Sequence, residues 1–108
     1  MSPRSVSTSL ENDGFDKVCD ITDRRKVRLR GFISSLLIQP AEAAPVVEAD
    51  LQDGTGLITL IWLGREQLAG IEPGTRLDVS GFAAQRGGHR VMYNPRYEIT
   101  RIAGEEDQ

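Results

Sequence analysis

Arg28, Arg30 and Phe32 stand at alternate positions in the segment Lys26-Val-Arg-Leu-Arg-Gly-Phe-Ile33. In an extended chain, residues two apart share a face, so two guanidinium groups and a ring project together. A second set, Arg86, His89, Arg90, Tyr93 and Arg96, follows near the C-terminus. Guanidinium forks match phosphate oxygens, and aromatic rings stack on nucleobases whatever the base. Arg28, Arg30, Arg86 and Arg90 are therefore candidate phosphate contacts, with Arg96 beside them. Phe32 and Tyr93 are candidate stacking residues. Thr59 and Ile61, on the outward side of an apolar segment, complete the surface, with His89 at its rim.

Other chemistries find little support. His89 and Cys19 are the sole histidine and cysteine, so no metal-ligand set of the usual spacing can be built. No cofactor motif and no Gly-x-Ser-x-Gly nucleophile elbow is present. Asp53, in Gln52-Asp-Gly-Thr-Gly56, reads as a turn residue and not as a catalytic acid. A non-catalytic protein without metal or cofactor is the expectation.

The positioning elements follow from alternation and turn residues. A strand is predicted from about Arg25 through Gln39, with Val27, Leu29 and Ile33 on the face opposite Arg28 and Arg30. Gly31 in its interior marks a bend, so that this strand can pair with two sheets. A proline-bounded loop, Pro40 to Pro45, leads to a second strand, Val46–Gln52. Asp53 to Gly56 supplies residues that tolerate positive φ, as a hairpin turn requires. The third strand is Leu57–Leu63. Ile58, Leu60 and Trp62 are assigned to its core side, because the other set includes Thr59. A helical turn is expected at Arg65–Leu68 and a reverse turn at Ile71–Thr75. Arg76–Ala84 forms the fourth strand, Gln85 to His89, with its two glycines, the hairpin loop, and Arg90–Asn94 the fifth. Pro95 to Ile99 closes the domain. Residues 1–19, polar and Ser-rich, are expected to be a disordered segment from which Phe15 and Val18 can dock. The folded domain is expected over 20–101, and residues 102–108 form an acidic tail.

The chain of 108 residues carries a net charge of -3, but unevenly. Residues 1–23 hold Arg4 and Lys17 against Glu11, Asp13, Asp16, Asp20 and Asp23, and the tail adds Glu105, Glu106 and Asp107. The remainder, with eleven Arg or Lys against eight Asp or Glu, is at +3. Binding to a polyanion by so mild a charge is expected to be salt-sensitive. Glu48 and Asp50, outward on the second strand, oppose it and keep a second class open, a protein-interaction module. No apolar run reaches the length of a membrane span, and the N-terminus lacks an apolar signal core. With one cysteine, a reducing cytoplasm is the expected compartment.

Five strands in this order fit an all-β, five-stranded Greek-key barrel, the OB-fold, better than an SH3-like barrel or a small sandwich. Several segments carry a resemblance: Val27-Arg-Leu-Arg-Gly31, Leu51-Gln-Asp-Gly-Thr-Gly56 with Leu57 to Trp62, Ile71 to Gly81, and Gly87-Gly88 followed by Asn94-Pro-Arg-Tyr-Glu98. In these the chain resembles the OB-fold family of the anticodon-binding type, and most of all the wedge domain of RecG-type branch-migration helicases. Gly64-Arg65 and Ala69 to Thr75 also resemble small stand-alone OB proteins of actinobacteria. The resemblance covers about residues 20 to 100. It implies nucleic-acid binding, of single-stranded or branched DNA or of RNA. No Gly-x-x-x-x-Gly-Lys-Ser/Thr occurs, so helicase activity is not implied.

Overall fold

The computed structural model describes residues 14–39, 44–65, 67–102 and 104. Six strands make up nearly all of it: β1 (Arg25–Gln39), β2 (Val46–Gln52), β3 (Leu57–Leu63), β4 (Arg76–Arg86), β5 (His89–Tyr93) and β6 (Arg96–Arg101). A short 3-10 turn, Val18–Asp20, precedes them. β1 pairs with β2, β2 with β3, β3 with β5 in parallel, β5 with β4, and β4 again with β1. The ring closes into a five-stranded mixed barrel, the OB-fold.

Long β1 is the strand that closes the ring. Its first half, Arg25–Phe32, pairs with Phe82-side residues of β4, and its second half, Phe32–Gln39, pairs with β2. Gly31 lies at the changeover. A Cβ there would collide with the carbonyl oxygen of Gln52, so only glycine lets β2 approach. The register irregularity itself falls slightly later, between Ile33 and Ser35.

The fifth and sixth strands are one strand interrupted at Asn94-Pro95. β5 pairs with Ala83–Arg86 and β6 with Arg76–Ser80 of the same partner. Asn94 takes a left-handed backbone, φ 48°. Its N–H donates to Ile61 O (2.6 Å) and its Oδ1 accepts from Leu63 N (3.0 Å). The break ties β5 to β3 and lets β6 leave the barrel.

Leu29, Ile33, Leu51, Ile58, Leu60, Leu77 and Met92 fill the core. Trp62 is buried with them, its indole N–H donating to Pro95 O (3.2 Å) and its ring edge-on to Tyr97. Core assignment of Ile58, Leu60 and Trp62 agrees with the alternation. The N-terminal stretch differs from the expectation in its last residues: 14–20 pack on the barrel, with Val18 fully buried. Residues 1–13, most of the Pro40–Pro45 loop, residue 66 of the Arg65–Leu68 turn, and the tail Glu105–Gln108 lie outside the described residues.

Asp53 connects that stretch to the β2–β3 hairpin. Its carboxylate accepts from Val18 N (2.8 Å), Thr55 N (2.8 Å), the Thr55 hydroxyl (2.7 Å) and Gly56 N (3.1 Å). Partial burial alone would raise the carboxyl pKa. The hydrogen bonds outweigh it and hold Asp53 below its ordinary value of 3.8. Ionised Asp53 therefore stabilises the fold above the unfolded-state pKa, and the contribution is lost as pH falls through the lower folded one. Asp53→Ala is expected to cost about 2 kcal/mol in urea unfolding at neutral pH and to flatten stability against pH below about 4.

Candidate nucleic-acid interface

Strand parity turns every sequence-predicted site residue except Arg90 away from the core, although Thr59 is itself buried. On β1, Arg28 and Arg30 face outward opposite Ser80 and Asp78 of β4, and Phe32 lies opposite Arg76. On β3 and β5, Ile61 stands beside Tyr93 and Thr59 beside Val91. Arg86 pairs with His89 across the β4–β5 hairpin, and its guanidinium lies 5.7 Å from the Tyr93 ring centre. Arg96 faces outward beside Ser80.

Arg90 has the opposite parity. It shares the side of Met92 and reaches toward Gly56 at the end of the barrel, with its Nε buried and unpartnered among the described residues. Alternation along His89–Tyr93 already separates Arg90 from His89 and Tyr93, so the second set does not project from one face.

Several of the candidates are engaged with the protein itself. Arg30 forms a two-pronged ion pair with Asp78 (2.7 and 3.1 Å). Phe15 lies over both Arg28 and Arg30, its ring centre 4.3 Å from each guanidinium carbon. Thr59 is only 7% exposed. Its hydroxyl donates to Asp50 Oδ1 (2.8 Å), which leaves its oxygen to accept from His89 Nε2 (3.1 Å). Ser35 donates to the other Asp50 oxygen (2.9 Å). Asp50, counted from sequence as a charge opposed to binding, is thus held in a network across β1, β2, β3 and β5.

The remaining residues converge elsewhere, on the outer face of β4 where β5 and β6 part. A groove of about 990 Å³ opens there. Arg24, Lys26, Arg86 and Arg96 line it, together with the rings of Phe82 and Tyr93. Phe82 is 65% exposed and Tyr93 42%, unusual for large rings with no packing role. Among the described residues one acid, Asp23, also lines the groove, and its carboxylate accepts the Gln85 N–H (2.9 Å). Ile61 lies beside Tyr93 on neighbouring β3. The arrangement offers four cations around two rings, the pair of contacts that phosphates and bases need.

Sequence reasoning reached Arg86, Tyr93 and Arg96 and missed Phe82, Arg24 and Lys26. A signal for Phe82 exists. Leu77 and Val79 face the core, so the even-numbered positions of β4 face out, and Phe82 is among them. Arg24 carries a different mark, a non-glycine residue at φ 59° in the turn before β1.

No protein-family model matches the chain, and no curated protein does. Among solved structures, that of RecG bound to a three-way DNA junction is similar, with a TM-score of 0.61 and 24% identity over 83% of this chain. This chain spans about 13% of that one. The likeness is one of fold: both contain the OB-type barrel that β1 to β5 build here.

Proposed function

We propose that this barrel is a non-catalytic nucleic-acid-binding domain of the cytoplasm that takes single-stranded or branched DNA, or RNA, into the β4–β5–β6 groove. Phosphates lie against Arg24, Lys26, Arg86 and Arg96, and unpaired bases stack on Phe82 and Tyr93. The observation that carries the reading is the groove itself, four cations around two exposed rings. A duplex keeps its bases stacked inside, out of reach of those rings. Unpaired strands gain both contacts and duplex gains only the phosphate ones. The similar barrel in a protein solved on a DNA junction supports the same class of ligand.

Removing two of the lining cations tests this. Arg24→Gly suits the left-handed backbone at that position, so it leaves the fold intact while deleting a charge. Combined with Arg96→Ala, it is expected to lower the slope of log K against log salt by about 1.4 for a single strand, at unchanged melting temperature. An unchanged slope would remove Arg24 and Arg96 from the phosphate path.

A second reading, docking on a partner protein, is favoured by Leu37, Ile38 and Leu63. These are exposed at the far ends of β1 and β3, and none lines the groove. The two readings use different surfaces and separate by mutation.

A further inference from the structure

Phe15 and Asp16 lie against β1 on the outside of the barrel. The Phe15 ring is held between two guanidinium groups, Arg28 and Arg30, each within cation–π range. Asp16 Oδ1 pairs with Arg25 (3.3 Å). Asp16 also spans the Arg28 backbone: its N–H donates to Arg28 O (2.7 Å), while its side-chain Oδ2 accepts the Arg28 N–H (2.9 Å). A ring against guanidinium planes, with an anion one residue along, is the chemistry of a nucleobase followed by its phosphate.

The surface beneath is continuous with the groove. Arg28 and Arg96 line one depression of about 190 Å³ together with Glu98 and with Asp78, whose charge Arg30 meets, and Arg96 and Ser80 line both it and the groove. A strand leaving the groove past Arg96 arrives at Arg28. The covering residues are also separable from the fold. Beyond them Lys17 is extended, and the chain is then anchored independently by buried Val18 and its N–H to Asp53. Phe15 and Asp16 can therefore lift without disturbing the barrel's end.

We infer that the outer face of β1 around Arg28, with Arg25 at the strand's end, is a second contact surface for the same polynucleotide strand, occupied in the free chain by Phe15 and Asp16 acting as a base-and-phosphate mimic. A strand short enough to fill only the groove does not meet it. A longer one displaces the two residues and gains the contact. This rests on the groove reading, and the test keeps the two apart.

The test is fluorescence anisotropy of labelled oligothymidines of about 5 and about 15 nucleotides with the full chain and with Phe15→Ala/Asp16→Ala. The double variant is expected to bind the longer strand about 5-fold more tightly than the parent and the shorter one unchanged, because it no longer has to be displaced. Adding Arg28→Ala should erase that gain, while Arg28→Ala in the parent shifts affinity by less than about 2-fold, because displacing Phe15 and Asp16 already offsets most of the contact. Asp20→Ala removes the same charge away from β1 and should give no gain. Phe15→Ala alone should move affinity in the same direction as the double variant, and melts followed by Trp62 emission establish that each variant is folded. Equal affinity of parent and double variant, a gain that survives Arg28→Ala, or an equal gain from Asp20→Ala would each overturn the inference. The groove reading fails separately, if Arg24→Gly/Arg96→Ala leaves binding of the shorter strand intact. Should the parent bind neither strand, binding of the longer one that appears in the double variant and vanishes with Arg28→Ala supports the inference, and its absence overturns it.

Discussion

Phe82→Ala is expected to weaken single-strand binding about 10-fold, and Phe82→Ala with Tyr93→Ala about 100-fold, since each stacked base is worth about 1–3 kcal/mol. Stability should hardly move with Phe82→Ala. The ring is 65% exposed and stands opposite Lys26 on the outer face of β4, contributing nothing to the core. That separation makes the substitution informative, because a stacking residue and a packing residue give opposite patterns. Loss of binding at constant melting temperature marks a ligand contact, whereas loss of both marks a structural ring. Tyr93→Phe is the companion variant. It keeps the face that Arg86 covers and should retain most of the affinity. The anisotropy of a labelled strand reads both. Duplex affinity should fall far less, because the groove offers a duplex only its cations.

Gly31→Ala is expected to destabilise the fold by about 2–3 kcal/mol. The added Cβ meets a backbone carbonyl, that of Gln52, which cannot rotate away as a side chain could. Relief requires β1 and β2 to separate at the point where β1 passes from β4 to β2. For a domain of this size the melting temperature should drop on the order of 15 °C. Gly54→Ala provides the contrast. Its φ is 91°, but a Cβ there meets nothing within 4 Å. The cost at Gly54 comes from backbone conformation alone, about 1 kcal/mol. Two glycines in one barrel thus separate collision from conformational strain. Thermal unfolding followed by the emission of Trp62 measures both, and comparable losses would contradict the close approach at Gly31.

The strands were legible because alternation and turn chemistry act locally. Val46–Gln52 and Leu57–Leu63 have the bounds that their flanking Pro45, Asp53 and Gly64 impose. Trp62 could be assigned to the core from its parity with Ile58 and Leu60. Gly31 was readable as a bend because a glycine inside an alternating strand has little other use. β6 was harder. Asn94-Pro95 looks like a terminator, yet the left-handed Asn94 only offsets the chain, and pairing with β4 resumes at Arg96.

The candidate surface was legible in kind more than in place. Arg30 sits 48 residues from Asp78, and no local pattern tells that the two face each other across β1 and β4. The same holds for Asp50, whose charge is engaged by hydroxyls from two other strands. Which arginines remain available depends on such long-range pairs. Phe82 shows the converse. Its outward parity was readable, but its value comes only from where β5 and β6 separate and open a groove beside it.

The most direct test is anisotropy titration of the full chain with labelled single-stranded, forked and duplex DNA at about 50 mM and about 200 mM salt. Single-stranded and forked DNA are expected to bind about 10-fold more tightly than duplex, both weakening with salt, with Trp62 emission unchanged on binding because that ring is buried in the core. Equal affinity for duplex and single strand, or no binding at the lower salt, would contradict the groove reading.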